Sequence, residues 1–198
     1  MSSHHIKLTV CKRSTDHLHN FFSSLTGQGS LAHVSLADCI DFARQMFPRK
    51  DAPVISLVIS HANRQKINER MYQYFARGKA RLRCKLSEEL VDEIFAGCRL
   101  IGAITHRRPG LVNGAFYTVD SWDDNNVTLR DTELDIIFAV QHCELAHCRL
   151  GYALTYASVQ GRSIDVRMRL CDVTHPRFTR KHLSMGLSRA TSAALIDI

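Results

Sequence analysis

The chain has 198 residues, 45% hydrophobic and 23% charged, an ordinary globular composition that excludes a disordered tail and suffices for one core plus a small accessory domain. Its 26 Lys and Arg outnumber 19 Asp and Glu, and the formal charge of +7 favours polyanions such as nucleic acid or nucleotide phosphates. Seven cysteines scattered through apolar stretches argue against a disulfide framework, no apolar run reaches membrane-span length, and "MSSHHIKLTV" lacks a signal peptide's apolar core. The expectation is an intracellular protein, nuclear, cytoplasmic or viral, with no membrane partner.

In chain order, β-branched "IKLTVCK" predicts a short strand. "DHLHNFFSSLTGQG" predicts a helix, with Leu18, Phe21, Phe22 and Leu25 on one face and Gly27 as its stop. "SLADCIDFARQMF" predicts a second helix capped by Ser35. The apolar run "APVISLVIS" suits a strand buried on both faces, the mark of a parallel sheet. "NRQKINERMYQYFARG" follows as a helix with Ile67, Met71 and Tyr74 on one face, and the acidic pair Asp92-Glu93 reads as helical surface. From about Gly97 to Val140 the period shifts toward two. "CRLIGAIT", "GAFYTVDSW" and "NVTLR" read as strands, with "DDNN" as hairpin-turn chemistry. An α/β pattern then resumes: "GYALTYASVQG" helix-like, "IDVRMRLCDV" a strand, "TRKHLSMGLSRAT" a helix and "SAALIDI" a terminal strand.

The sequence contains no Gly-rich loop ending in Gly-Lys-Ser/Thr, the element whose backbone N–H groups and lysine cradle nucleotide phosphates. Gly78-Lys79 lacks both the loop before it and the Mg²⁺-binding hydroxyl after it. "QHCELAHC" offers His142, Cys143, His147 and Cys148 as zinc-type ligands, but no second clustered pair lies nearby, and no metal site is expected.

The stretches "LTYASVQGRSIDV" and "FTRKHLSMGLSRATSAALIDI" resemble motifs V and VI of superfamily-one helicases, particularly the RecD-like subclass. There motif V reads Thr-x-His-Lys-x-Gln-Gly-x-Thr, and motif VI is an apolar helix ending in Ala-Leu-Ser-Arg-Ala. "LTVCKRST" is similar to motif IV, "VISLVISHANRQKINERM" to the strand, Thr-x-Asn turn and Ile-Asn helix after it, and "GLVNGAFYTVDSW" to the Asn-Gly strands of an SH3-like insertion. The likeness covers most of the chain and is most specific at motif VI. Ala157 and Ser158 stand where the motif has His-Lys, which removes a charge and an imidazole; Cys11 and Lys12 replace the Asn-Tyr of motif IV.

The resemblance implies an α/β fold: a RecA-like second motor domain of the P-loop NTPase type, built from residues 1–96 and 141–198, with an SH3-like antiparallel β insertion at 97–140. It also implies an ATP and Mg²⁺ site shared with a separate N-terminal RecA-like domain, present in cis or in trans. Arg189 and Arg13 would act on the γ-phosphate, where a permanently charged planar fork stabilises charge developing in phosphoryl transfer. Gln160 and Gly161 would lie by the nucleotide, and Thr155, Ser158, Asn63 and Arg64 would hold phosphates of single-stranded or forked DNA. Only half of an ATP site is encoded, so the chain alone is expected to hydrolyse essentially no ATP while serving as the C-terminal half of an ATP-dependent 5′-to-3′ DNA helicase. The alternative is a non-catalytic nucleic-acid-binding module left after loss of the first motor domain.

Overall fold

A computed structural model describes residues 16–27, 29–50, 53–104 and 110–198. Arg13 and the motif IV stretch lie outside the described residues. The chain divides into two compact units, one formed by 1–59 with 159–198 and the other by 60–158.

In the first unit, helix α1 (Asp16–Ser24) and helix α2 (Leu36–Met46) bury the apolar faces expected of them, Leu18 and Phe21 on α1, Cys39, Ile40 and Ala43 on α2. Ser35 caps α2 by accepting the Asp38 N–H at 3.1 Å. Strand β1 (Ile55–Val58) is buried at every position, as a central parallel strand should be. It runs parallel to a strand at Met168–Leu170, which in turn runs parallel to the last strand, Ile196–Asp197. Arg169 binds the fully buried Asp197 through Nε and Nη2, and the Lys50 N–H donates to the same carboxylate at 3.1 Å, so the terminal strand is fastened by charge as well as by its ladder.

The second unit opens with helix α3 (His61–Phe75), capped by Ser60, whose Oγ accepts the Asn63 N–H at 3.1 Å. A short antiparallel pair, β2 (Leu82–Arg83) and β3 (Glu93–Ile94), follows, so Glu93 sits in a strand rather than on the expected helical surface. Five strands then form one antiparallel sheet: β4 (Arg99–Gly102), β5 (Phe116–Trp122), β6 (Asn126–Asp131), β7 (Ile137–Gln141) and β8 (Cys148–Leu150), in the order β7-β6-β5-β4-β8. The sheet therefore takes in a strand beyond residue 140. The hairpin joining β5 and β6 forms as its composition dictates: Asp123 Oδ1 accepts the N–H groups of Asn125 and Asn126, both at 2.8 Å, which holds this carboxyl below the usual carboxylate range. At Gly102 the backbone passes so near Val112 that a Cβ would lie 2.1 Å from its carbonyl oxygen, and the Gly114 N–H of the Asn-Gly turn donates back to the Gly102 carbonyl at 2.7 Å.

Strand β9 (Ala153–Thr155) and a 3₁₀ turn at Tyr156–Val159 replace the helix expected from "GYALTYASVQG". Asn68 holds the entry to this segment: its Oδ1 accepts the N–H groups of Tyr152 and Ala153 at 3.1 and 2.7 Å, and its Nδ2 donates to the Leu150 carbonyl at 3.1 Å. These bonds tie the backbone of Leu150, Tyr152 and Ala153 to a side chain of α3 where the chain enters β9. In the first unit the remaining elements are β10 (Met168–Leu170), α4 (Arg180–Leu187), a 3₁₀ turn at Ala193–Leu195 and β11 (Ile196–Asp197). No described helix is long and apolar enough to cross a membrane.

Candidate functional site

Helix α4 delivers Arg189. At its start the Thr179 N–H donates to His182 Nδ1 at 3.1 Å, and burial holds this imidazole below its ordinary pKa, in the neutral state that can accept. Leu183, Gly186 and Leu187 form its buried face, and Arg180 donates to the carbonyl oxygens of Leu31 and Val34, pinning the helix's first turn to the loop before α2. The helix ends at Ser188, and the chain then meets the segment after Gln160-Gly161. Ile164 N–H donates to the Arg189 carbonyl at 2.7 Å, Thr191 N–H donates to the Ile164 carbonyl at 3.2 Å, and Ile164 and Ala190 form a parallel bridge.

The Arg189 side chain folds along the same junction. Nη1 donates to the Arg162 carbonyl oxygen at 3.0 Å, while Nε and Nη2 donate to Ser188 Oγ at 3.3 and 3.0 Å. Ser188 Oγ in turn donates to the Met185 carbonyl at 2.9 Å, which orients its lone pairs toward the guanidinium. Arg189 is half-buried, and the adjoining turn presents Gln160 and Gly161 to solvent. Gly161 has φ +83°, a left-handed conformation that favours glycine, and the Arg162 N–H closes the turn on the Val159 carbonyl at 3.2 Å. Three of the residues named from motifs V and VI, Arg189, Gln160 and Gly161, thus lie in the first unit, with Arg189 anchored directly on their turn.

Thr155 and Ser158 lie in the second unit and hold each other. Thr155 Oγ1 accepts the Ser158 N–H at 3.3 Å, and Ser158 Oγ donates to the Thr155 carbonyl at 2.9 Å, so the threonine caps the 3₁₀ turn. Asn63 is half-buried in the first turn of α3. Arg64 is placed otherwise than expected for a phosphate contact: it is 1% exposed, and its guanidinium binds the Glu89 carboxylate and the Glu88 carbonyl, the latter at 3.2 Å. A helix-surface cation has here been drawn inward by a buried carboxylate. Glu89 also accepts from Asn68 Nδ2 at 3.2 and 3.3 Å, and burial pushes its carboxyl up to about 7 against the opposing pull of Arg64 and Asn68. Sequence reasoning missed Asn68 and Glu89; the only signal available was an Asn amid the apolar positions of α3.

Among the described residues no group of three or more His, Cys, Asp or Glu side chains could hold a metal ion. "QHCELAHC" forms a 3₁₀ turn at His142–His147 that sends its side chains to separate neighbours: His142 Nε2 meets the Asp123 carbonyl at 3.1 Å and His147 the Glu144 carboxylate at 3.7 Å. Cys148 is buried, and its thiol is pushed up to about 12.

No family model and no curated protein matches this sequence. Solved structures do match. A Bacteroides Pif1 helicase in complex with ADP-AlF3 and ssDNA shares 17% identity and a TM-score of 0.67, over 97% of this chain and 51% of that one. A structure of Pif1 helicases described as unwinding forked dsDNA gives 17% and 0.66, over 96% and 48%. Pif1 helicase from Candida albicans gives 12% and 0.66, over 96% and 55%. The chain thus spans about half the length of the structures it matches. At these identities the likeness shows the fold alone: a mixed α/β chain with a parallel sheet, matching the RecA-like domain of those structures.

Proposed function

We propose that this chain is the second motor domain of an ATP-dependent superfamily-one DNA helicase and supplies the arginine side of its ATP site. One observation carries the reading: Arg189, at the end of the Leu-Ser-Arg-Ala helix, is docked on the Gln160-Gly161-Arg162 turn by its own guanidinium and by the Ile164–Ala190 bridge. A half-buried guanidinium fixed on one side by a carbonyl and a hydroxyl is preorganised, so little reorganisation is needed when phosphate charge develops beside it. Gln160 and Gly161 belong to the same turn and are the residues through which nucleotide state would reach the strand contacts.

ATP needs a phosphate loop this sequence does not contain, and among the described residues no three His, Cys, Asp or Glu side chains group together as a metal would need. On this reading a first RecA-like domain, in cis or in trans, supplies the other half of the site. Bound ATP and Mg²⁺ supply the transferable phosphoryl group and neutralise its oxygens; this chain contributes charge from Arg189, joined by Arg13, and closure through its motif V turn. Residues 1–96 and 141–198 form the motor domain on this reading, with 97–140 as its SH3-like insertion. Single-stranded or forked DNA is the partner, contacted by Thr155, Ser158 and Asn63; Arg64 serves instead by holding α3. The RecD-like subclass rests on motif resemblance alone, while the structural neighbours are Pif1 helicases.

The test is DNA-stimulated ATP hydrolysis by the chain alone and with an added phosphate-loop domain from a superfamily-one helicase. The expected result is hydrolysis only in the mixture, reduced about 10³-fold or more by Arg189→Ala. Hydrolysis by the chain alone that survives Arg189→Ala would overturn the reading.

A further inference from the structure

The segment leaving α3 carries a pattern the helicase motifs do not use. Arg77, Lys79, Arg81, Arg83 and Lys85 occupy every second position, and all five are exposed. From Arg81 onward the strand explains it: β2 pairs with β3, Leu82 opposite Ile94, so Leu82, Cys84 and Leu86 turn inward while Arg81, Arg83 and Lys85 face solvent. At the head of the row the cations lie over aromatic rings. The Arg77 guanidinium is 5.7 Å from the Tyr74 ring centre, Lys79 Nζ 4.6 Å from Phe95, and the Arg81 guanidinium 5.9 Å from Tyr72. Lys79 Nζ also donates to the Ala96 carbonyl at 3.2 Å. These contacts hold long, flexible side chains in place before any partner arrives.

Tyr74 is the second, independent feature. Helical spacing groups it with Ile67 and Met71 as a core face, yet it is 58% exposed, braced edge-on by Phe75 at 5.2 Å between ring centres. Phe75 itself stacks on Tyr152 at 5.6 Å. A large aromatic ring is thus presented to solvent beside the row of cations.

Acidic neighbours offset only part of the charge. Glu93 pairs with Arg81 at 3.3 Å and stands opposite Arg83 in the ladder; Glu88 turns its carboxylate to Arg64 at 3.5 Å; Asp92 lies on the returning segment. Among the described residues, Arg77, Lys79, Arg83 and Lys85 make no salt bridge.

We propose that this row binds single-stranded nucleic acid, with phosphates along Arg77–Lys85 and a base stacked on Tyr74. Arg77 stands on the turn that closes α3, and from Arg81 to Lys85 alternate residues of the extended segment are about 6.6 Å apart, a spacing suited to successive phosphates of an extended strand. A repeating row of cations calls for a repeating polyanion, and the exposed ring supplies the sequence-tolerant stack that single strands use. A membrane surface would call for apolar side chains beside the cations, and here those between β2 cations point inward. The assignment goes beyond the helicase reading and uses neither Arg189 nor the motif V turn.

The experiment uses the full chain, a fluorescent oligo-dT strand and a salt titration. Lys79→Gln/Arg83→Gln/Lys85→Gln should lower the slope of log affinity against log salt by about 2, from three lost phosphate contacts. Tyr74→Ala should weaken binding about tenfold with the slope unchanged. Circular dichroism establishes that each variant is folded. A folded triple variant with the wild-type slope, or a wild-type chain that does not bind the strand, overturns the proposal. So does a triple variant that keeps its DNA binding but loses binding to phosphatidylserine vesicles or polyglutamate. Slope loss without any response to an ATP analogue and an added first motor domain leaves the row standing and sinks the helicase reading instead.

Discussion

Arg189 reaches the carbonyl oxygen of Arg162 across 3.0 Å, and through that bond the end of α4 is fixed to the turn after Val159. The remaining guanidinium donors used in this junction go to Ser188 Oγ, a geometry that depends on a planar fork. Arg189→Lys keeps the charge but cannot serve both acceptors. The expected outcome is a loss of about 1 kcal/mol in urea unfolding, together with loss of hydrolysis in the mixture with a phosphate-loop domain. A lysine variant with full hydrolysis would show that charge alone suffices at this position.

Gly102 is a second position where geometry leaves no choice. A Cβ there would lie 2.1 Å from Val112 O, a backbone atom that cannot swing aside as a side chain could. Gly102→Ala should therefore push β4 away from the Asn113-Gly114 turn and cost about 1–3 kcal/mol, read as a lowered thermal midpoint. Gly161→Ala should cost less, because open space surrounds that position and only its positive φ opposes a side chain.

These cases also mark what the sequence makes legible. The buried strand β1, the helices α1, α2, α3 and α4 and the Asp123 hairpin follow from local periodicity and turn chemistry, and the motif VI resemblance is what singles out Arg189 for the proposed role. What could not be read was where long-range hydrogen bonds override local preference. The helix-like stretch forms β9 instead, its entry held by Asn68 through the backbone groups of Tyr152, Ala153 and Leu150, partners that lie more than 80 residues along the chain. Arg64 shows the same limit at a side chain: its sequence position is that of a solvent-facing phosphate contact, but Glu89 supplies a buried partner that spacing cannot reveal.

Glu89 gives the second unit a pH dependence with a definite sign. Its folded pKa, about 7, lies above the ordinary value of 4.5, so between these values the folded chain holds a proton that the unfolded chain has released. The stability this contributes is fully present below about 4.5 and is lost as pH rises through about 7. Urea unfolding followed from pH 5 to pH 8 should show a decline that Glu89→Gln removes. An identical decline in the glutamine variant would place its origin elsewhere.

Arg64 separates a core ion pair from a strand contact. Its side chain and that of Glu89 are buried together, so at pH 8, where Glu89 is ionised, removing the arginine alone strands a carboxylate in the interior. Arg64→Met should cost about 3–5 kcal/mol, whereas Arg64→Met with Glu89→Met removes both charges and should recover most of that loss, since apolar side chains of similar volume replace a buried pair at little cost. The double variant then becomes the informative one for DNA. If Arg64 only holds α3, the refolded double variant binds a single strand with the wild-type salt slope. A slope flattened by about 0.7 would mean that one phosphate contact has gone and that Arg64 leaves its buried partner when the strand binds.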